Sequence, residues 1–218
     1  MPDEPYRFVV APAGYRNTAP PSEAQAAIAV TDGVTCCELE ARSAEQGPQV
    51  SVYIPRSGLA VAGATQITVL ATPVAAPAGP VPQPGARFEG NTYRITAAGP
   101  TGPAATTPEA SRATVQLRAL NGNQPGPSLW YRTNDGAAWR QLPSAKVGFD
   151  VIEAQFAGPG DYVLVRGKQS GGGTVKVLLG ILAVPALLVV VLLVLRLRGG
   201  PPPDEDPDGP DGPDGPDG

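Results

Sequence analysis

Apolar and polar residues alternate in several short runs of the chain before residue 170. In the run 50–54, Val50, Val52 and Ile54 alternate with more polar neighbours, and Ile67 and Val69 repeat the pattern in 65–72. A period of two is typical of a β-strand that buries one face. No segment before residue 170 carries an apolar stripe of helical period over a helical length. The pattern therefore predicts a domain built from β-strands.

Turn-forming residues separate these apolar runs at intervals of roughly ten residues. Asp32-Gly33 predicts a hairpin between strands at 26–31 and 34–42, and Asn134-Asp135-Gly136 predicts another between 129–132 and 138–142. Further strands are expected at 6–11, 50–54, 65–72, 86–96, 113–120, 149–156 and 162–165. Many short strands at this spacing predict an all-β sandwich.

Residues 73–85 form a proline-rich stretch that can neither complete a strand ladder nor pack a core. Two interpretations stay open from the sequence, a boundary between two small domains or a long surface loop. We assign 46–167 to the β-sandwich and expect 1–45 to add N-terminal strands to it. A glycine-rich tether, 168–176, follows the sandwich.

The run 177–195, from Val177 to Leu195, contains no charged, amide or hydroxyl side chain. As a helix it would be about 28 Å long, close to the ~30 Å hydrocarbon core of a bilayer. Gly180 and Pro185 lie inside this run. We predict a single transmembrane α-helix in contact with a lipid bilayer. The alternative, a buried core helix, would need a larger surrounding protein than the short segment that follows.

The segment 196–218 is an acidic repeat of aspartate, proline and glycine. This composition predicts a disordered tail, and two alternatives stay open, a docking peptide for a basic patch and a weak collector of calcium. Its seven acidic residues account for more than the whole net charge of −4, because the chain without them has 16 basic and 13 acidic residues. Without it the excess of basic over acidic residues is small, so the charge pattern argues against nucleic acid as a partner.

The chain contains no histidine, which removes the commonest general base and metal ligand. It also lacks the spacings of a phosphate-binding loop and of a nucleophile elbow. Glu38 and Glu40 share one face of a predicted strand, a pattern more typical of a solvated strand than of an acid–base pair. We therefore expect no catalytic, cofactor-binding or metal-binding residue, no cofactor and no small-molecule substrate. The chain is not expected to be an enzyme.

The two cysteines, Cys36 and Cys37, are adjacent. Neighbouring cysteines bridge only through a strained ring, so we do not expect an ordinary structural disulfide within the chain. The favoured interpretation is that both are small buried hydrophobic residues. Two alternatives stay open, a disulfide to another chain and a covalent link to a prosthetic group.

Three aromatic residues, Trp130, Tyr131 and Trp139, flank the second predicted hairpin. They are candidates for an interaction surface that binds a protein or a sugar. The alternative, which we favour from the sequence, places one tryptophan in the core and the other two aromatic rings in cross-strand pairs of the hairpin.

The order of these segments resembles the ankyrin- and netrin-receptor type of β-sandwich (ZU-five-like domains) found on bacterial surface proteins. The resemblance covers about residues 46–166. The segments that carry it are VSVYIPRSGL, TQITVL, GNTYRIT, ATVQLRAL, LWYRTNDGAAWRQL, VIEAQF and GDYVLV. Some members of that family cleave themselves at a His-Phe-Ser turn. Here the stretch reads Gln155-Phe156-Ala157, so the resemblance implies a recognition or structural domain without self-cleavage.

The charges beside the predicted span give conflicting indications of its orientation. Arg196 and Arg198 resemble a stop-transfer signal, which would place the tail in the cytoplasm and the sandwich outside. Lys176, together with bases at 166 and 168, favours the reverse, and so does a start unlike a signal peptide. Because bacterial sandwiches of the family it resembles face outward, we expect a single-pass protein of the cytoplasmic membrane with an extracytoplasmic, periplasmic domain.

Taken together, these patterns predict a non-enzymatic scaffold, adhesion protein or accessory subunit that binds other membrane or surface proteins. The alternative is an accessory structural subunit of a large bioenergetic membrane complex, photosynthetic or respiratory, in which the span would fill a gap between other helices. A span without polar residues has no transport or redox groups of its own.

Overall fold

In a computed structural model, the structure describes residues 4–77, 81, 83–100, 105–107, 112–123, 126–133 and 136–167. These residues form twelve β-strands and no helix, which confirms the all-β prediction. The strands are β1 (Ala24–Thr31), β2 (Val34–Thr35), β3 (Leu39–Arg42), β4 (Val50–Ile54), β5 (Gln66–Val74), β6 (Arg87–Ala98), β7 (Thr114–Arg118), β8 (Ser128–Arg132), β9 (Arg140–Gln141), β10 (Ser144–Lys146), β11 (Val151–Gln155) and β12 (Gly160–Arg166).

The strands form two antiparallel sheets. One has seven strands in the order β2-β1-β5-β6-β12-β8-β9, and the other has five in the order β10-β11-β7-β4-β3. All of them lie in one compact unit, Met1–Gln169. The predicted span, its flanking charges and the acidic tail lie outside the described residues. Among the residues that are described, no helix is long and apolar enough to cross a bilayer.

The main hydrophobic core lies between the inner faces of the two sheets. Ile67 and Val69 of β5 contribute from the seven-stranded sheet, and Val52 and Ile54 of β4 contribute from the five-stranded sheet, each with no exposed surface. Burial of one such aliphatic side chain stabilises the fold by about 1.5–3 kcal/mol. The period-two pattern of the sequence therefore correctly identifies the core face of these strands.

The proline-rich stretch is a loop inside one hairpin rather than a boundary between domains. Strands β5 and β6 pair antiparallel on either side of it, from Thr68↔Ala98 to Val74↔Thr92. Pro73 itself belongs to β5, opposite Tyr93. A proline is tolerated there because β1, the other neighbour of β5, pairs only as far as Ala71.

The predicted first strand, 6–11, is not a strand. Its backbone is held by amide side chains: Arg7 O accepts from Gln49 Nε2 at 2.9 Å and from Asn91 Nδ2 at 2.8 Å, and Val9 N–H donates to Asn91 Oδ1 at 2.9 Å. Tyr6 is buried beside Gly90, whose φ of +77° and missing Cβ leave room for the ring. The segment is extended because these side chains take the place of a neighbouring strand.

The predicted strand 34–42 is two strands in different sheets. The Asp32-Gly33 hairpin is present, with Val30↔Thr35 and Thr31↔Val34 as partners. After Thr35 the chain leaves the seven-stranded sheet and enters β3, which pairs with β4 of the other sheet. Sequence periodicity did not show this crossover, because both pieces carry strand-like residues. The short edge strand β10 was also not predicted.

Candidate interaction surface

A second hydrophobic cluster lies on the outer face of the seven-stranded sheet. Its buried members are Trp130 of β8 and Val163 and Val165 of β12. Strand β12 therefore buries both of its faces, since Tyr162 and Leu164 enter the main core. The continuous apolar run YVLV in the sequence is typical of a strand that is covered on both sides.

The rim of this cluster carries two aromatic rings and an arginine. The rings of Phe88 and Trp139 lie 5.9 Å apart at 54°, and both side chains are half-buried. The guanidinium carbon of Arg132 lies 4.6 Å from the centre of the Trp139 ring. Trp130 is only 8% exposed and donates from Nε1 to Ser128 Oγ at 2.9 Å. We call Phe88, Trp130, Arg132 and Trp139 the outer-face patch.

Tyr131 does not belong to this patch. Adjacent residues of a strand point to opposite faces, so Tyr131 enters the core while Trp130 faces outward. Its ring packs 4.9 Å from that of Tyr162, and its hydroxyl donates to Pro159 O at 3.0 Å. Burial raises the pKa of Tyr131, against the smaller effect of the nearby Arg140 charge. Of the three candidate aromatics, Trp130 is buried in the second cluster and Trp139 packs against it. The residues opposite Trp130 and Tyr131 on β9 are Gln141 and Arg140, so the favoured cross-strand pair of aromatic rings is not formed.

Asp161 fixes the arginine of the patch. This carboxylate is 1% exposed and accepts from Arg132 Nη2 at 2.8 Å and from Arg94 Nε at 2.8 Å. The two arginines come from strands on either side of β12. Gly160 precedes Asp161 at φ +153°, and a Cβ there would collide with the carbonyl oxygen of Arg132. The glycine thus allows the close approach that places the carboxylate between the two arginines.

The electrostatics of this cluster favour the charged form of Asp161. Burial acts to raise the pKa of the carboxyl, but the hydrogen bonds from Arg94 and then Arg132, with their positive charges, outweigh it and hold the pKa below its usual range. Arg94 keeps 42% of its side chain exposed, whereas Arg132 keeps 13%. The patch therefore presents half-buried aromatic rings next to the Arg132 guanidinium group. Hydrogen bonds to Asp161 fix the position of that group.

This arrangement is chemically suited to recognition. Tryptophan and arginine, together with tyrosine, are enriched at the energetic centres of protein interfaces. Of the two carboxylates considered as a pair from the sequence, Glu40 lies in β3 and Glu38 directly precedes that strand. Glu40 accepts from Ser51 Oγ at 2.8 Å, and Glu38 raises the pKa of Tyr53, for which burial is the larger cause.

The cysteine pair differs from the sequence-based expectation. Cys36 is half-buried and Cys37 is exposed, so the interpretation of two buried hydrophobic residues is wrong. Their sulfur atoms are joined in a disulfide between adjacent residues, which we did not expect. The pair lies where the chain crosses between the sheets, and Cys36 N–H donates to Ala29 O at 3.1 Å. The two cysteines thus lie between β2 and β3, outside both strands.

Phe88, Arg94 and Asp161 were not predicted from the sequence as members of the site. Phe88 had a usable signal, because it alternates with buried positions of a predicted strand. Asp161 follows a Pro-Gly turn directly before an apolar run, but that pattern did not indicate that its carboxylate would be buried between two arginines. In the described ranges there is no group of three or more His, Cys, Asp or Glu side chains that could hold a metal ion.

Comparisons with known proteins do not assign the fold to a family. No protein-family model, no curated protein and no solved structure matches the chain.

Proposed function

We propose that this protein is a non-enzymatic, single-pass membrane protein whose sandwich domain recognises another membrane or surface protein. The outer-face patch carries this proposal, because it places half-buried Phe88 and Trp139 rings beside a fixed arginine. The resemblance to the ankyrin- and netrin-receptor type of β-sandwich supports a recognition role. The apolar run 177–195 supports the membrane anchor.

The cellular location is part of the same proposal. The domain lies outside the cytoplasmic membrane, and the acidic tail lies in the cytoplasm. The disulfide between Cys36 and Cys37 supports this orientation, because disulfides persist mainly in oxidising compartments. Protease added to sealed cells should remove the domain and leave a C-terminal epitope intact. Protection of the domain together with accessibility of the epitope would reverse the orientation.

The recognition role is tested with the tagged full chain, extracted in mild detergent and run on a native gel. We expect a stable complex larger than the single chain. Trp139→Ala should weaken that complex at least about fivefold, because an aromatic anchor at an interface contributes more than about 1 kcal/mol. The control is Tyr53→Ala, which removes a half-buried aromatic residue of β4 from the other sheet.

Two outcomes would redirect the proposal. An equal effect of Trp139→Ala and Tyr53→Ala would mean that the outer-face patch is not the binding surface. A very large complex that carries pigment or redox cofactors, and that resists both substitutions, would favour an accessory structural subunit of a bioenergetic assembly held through its span.

A further inference from the structure

The exposed large hydrophobic side chains of the described residues are concentrated at one end of the sandwich. They are Val9, Val10, Leu120, Val147 and Phe149, and Phe149 and Val10 are the most exposed, at 79% and 70%. They lie on three separate segments, the stretch before β1, the β7–β8 loop and the β10–β11 turn. Clustering of such residues on unrelated loops indicates a contact surface rather than chance exposure.

This end is also where the chain leaves the domain. Arg166, the last residue of β12, donates from Nη2 to Glu89 Oε1 at 3.0 Å and to Asn121 Oδ1 at 3.4 Å. The same Glu89 Oε1 accepts from Leu120 N–H at 2.9 Å. The β7–β8 loop is therefore fastened directly to the strand that leads into the tether. We call this the exit end.

The β10–β11 turn and the stretch before β1 also contact this end of the domain. Gly122 packs against Phe149, since a Cβ on that glycine would lie 2.6 Å from the ring. Lys146 Nζ donates to Gly122 O at 2.8 Å and lies 5.5 Å from the centre of the Phe149 ring. In the stretch before β1, Val9 N–H donates to Asn91 Oδ1 at 2.9 Å, and Asn91 lies two residues after Glu89 in β6.

We propose that the exit end docks on the bilayer surface, with these five side chains in the boundary between headgroups and acyl chains. This inference rests on the proposed membrane anchor. Only the residues 167–176 separate the last residue of β12 from the predicted span in the sequence, which favours lipid as the occupant of this end. A short tether gives even a weak surface contact a high effective concentration.

The chemistry of the exit end fits a lipid surface. Phe149, Val147 and Leu120 supply apolar groups that can enter the acyl boundary, and Lys146 can extend its ammonium group to lipid phosphates. A docked exit end would hold the outer-face patch at a fixed height above the membrane.

The test uses the full chain in vesicles of phosphatidylcholine and phosphatidylglycerol with brominated acyl chains, which quench tryptophan on contact. The reporters are Phe149→Trp and Val10→Trp, on two different segments of the exit end. The control reporter is Ala62→Trp, an exposed position on the β4–β5 loop at the opposite end. We expect quenching of both exit-end reporters to exceed that of the control several-fold, above the shared background of Trp130 and Trp139.

The outcomes separate this inference from the anchor on which it rests. Flotation of the chain with the vesicles reports the anchor alone. Flotation with equal quenching at all three reporters would overturn docking and keep the anchor, whereas absence of flotation would overturn the anchor. Quenching of Phe149→Trp alone would contradict docking of the whole end. A blue shift that depends on protein concentration, without bromolipid quenching, would identify a second copy of the chain as the occupant.

Discussion

Strand β12 carries an arginine–carboxylate cluster at each end, and the two clusters hold different parts of the molecule together. At its start, Asp161 binds Arg94 and Arg132 from the strands on either side. At its finish, Arg166 binds Glu89, whose carboxylate also accepts the backbone N–H of Leu120 in a surface loop. The first cluster joins strands within one sheet, and the second joins a sheet to a loop.

The difference shows that similar ion pairs can serve two purposes in one fold. Asp161 accepts hydrogen bonds from Arg132 of the outer-face patch, and this fixes the guanidinium group that packs on Trp139. The Glu89 cluster positions the loop that carries an exposed apolar residue of the exit end. Loss of the first cluster should therefore reduce global stability most, whereas loss of the second should act mainly on one end.

The largest expected effect is that of Asp161→Asn. The amide leaves two arginines without their buried counter-charge, so we expect the free energy of unfolding to fall by about 3 kcal/mol at neutral pH. Urea unfolding followed by tryptophan fluorescence measures it. The control is Asp150→Asn, which removes a carboxylate bound by one arginine, Arg118, at 3.0 Å, and should cost about 2 kcal/mol because one charged partner is involved rather than two. An equal loss of unfolding free energy in the two variants would mean that Asp161 contributes no more than a carboxylate paired with one arginine.

Acid should weaken the same cluster in the wild-type protein. The pKa of Asp161 is lower in the folded chain than its ordinary value of 3.8, so the folded state binds fewer protons in this range. The stabilisation is complete above that ordinary value and is lost as the pH falls through the folded pKa. Stability measured from pH 5 downward should therefore decline more steeply in the wild type than in Asp161→Asn. Parallel profiles would show that this carboxylate does not contribute.

Glu89→Gln should cost less, about 2 kcal/mol, because one charge-assisted pair and one hydrogen bond are weakened. Its distinctive result is local. The backbone N–H of Leu120 should exchange with deuterium faster than in the wild type. The control is the N–H of Leu59 near the opposite end, which donates to Thr35 Oγ1 at 3.3 Å and whose exchange rate should be unchanged. Faster exchange at both amides would mean that the cluster supports the whole fold rather than one loop.

The smallest effect is expected from replacing both cysteines, Cys36→Ser with Cys37→Ser. A bridge between adjacent residues closes a minimal loop, so its loss should change the free energy of unfolding by about 1 kcal/mol. The intact mass of the wild type should increase by two hydrogen atoms on reduction. A mass that is unaffected by reductant would contradict the disulfide, and a large loss of stability would show that the bridge fixes the crossover between the sheets.

The strands were largely predictable from the sequence, and their partners were not. Alternation of apolar residues identified the core faces of β4, β5 and β7, because in these strands the residues that enter the core lie two positions apart. The same rule misassigned 6–11, since an extended segment held by Gln49 and Asn91 side chains has a strand-like pattern. It also merged β2 and β3, which belong to different sheets.

The candidate surface was predicted only in part. Trp130 and Trp139 were recognised as candidates because large aromatic residues flanked a hairpin. Phe88, Arg94 and Asp161 come from strands far apart in sequence, and only pairing of β6, β12 and β8 in that order brings them together. The exposed residues of the exit end were missed for a similar reason, since their shared location depends on which loops meet where β12 ends.

The sequence by itself determined the class of fold and the apolar run 177–195, because periodicity and composition are properties of neighbouring residues. Only the tertiary structure decided which face each tryptophan occupies, which carboxylates bind arginines, and that Cys36 and Cys37 lie at a crossover between sheets. Those features depend on contacts between distant segments. Their positions are set by the pairing order of the strands, which local patterns of apolar and polar residues do not encode.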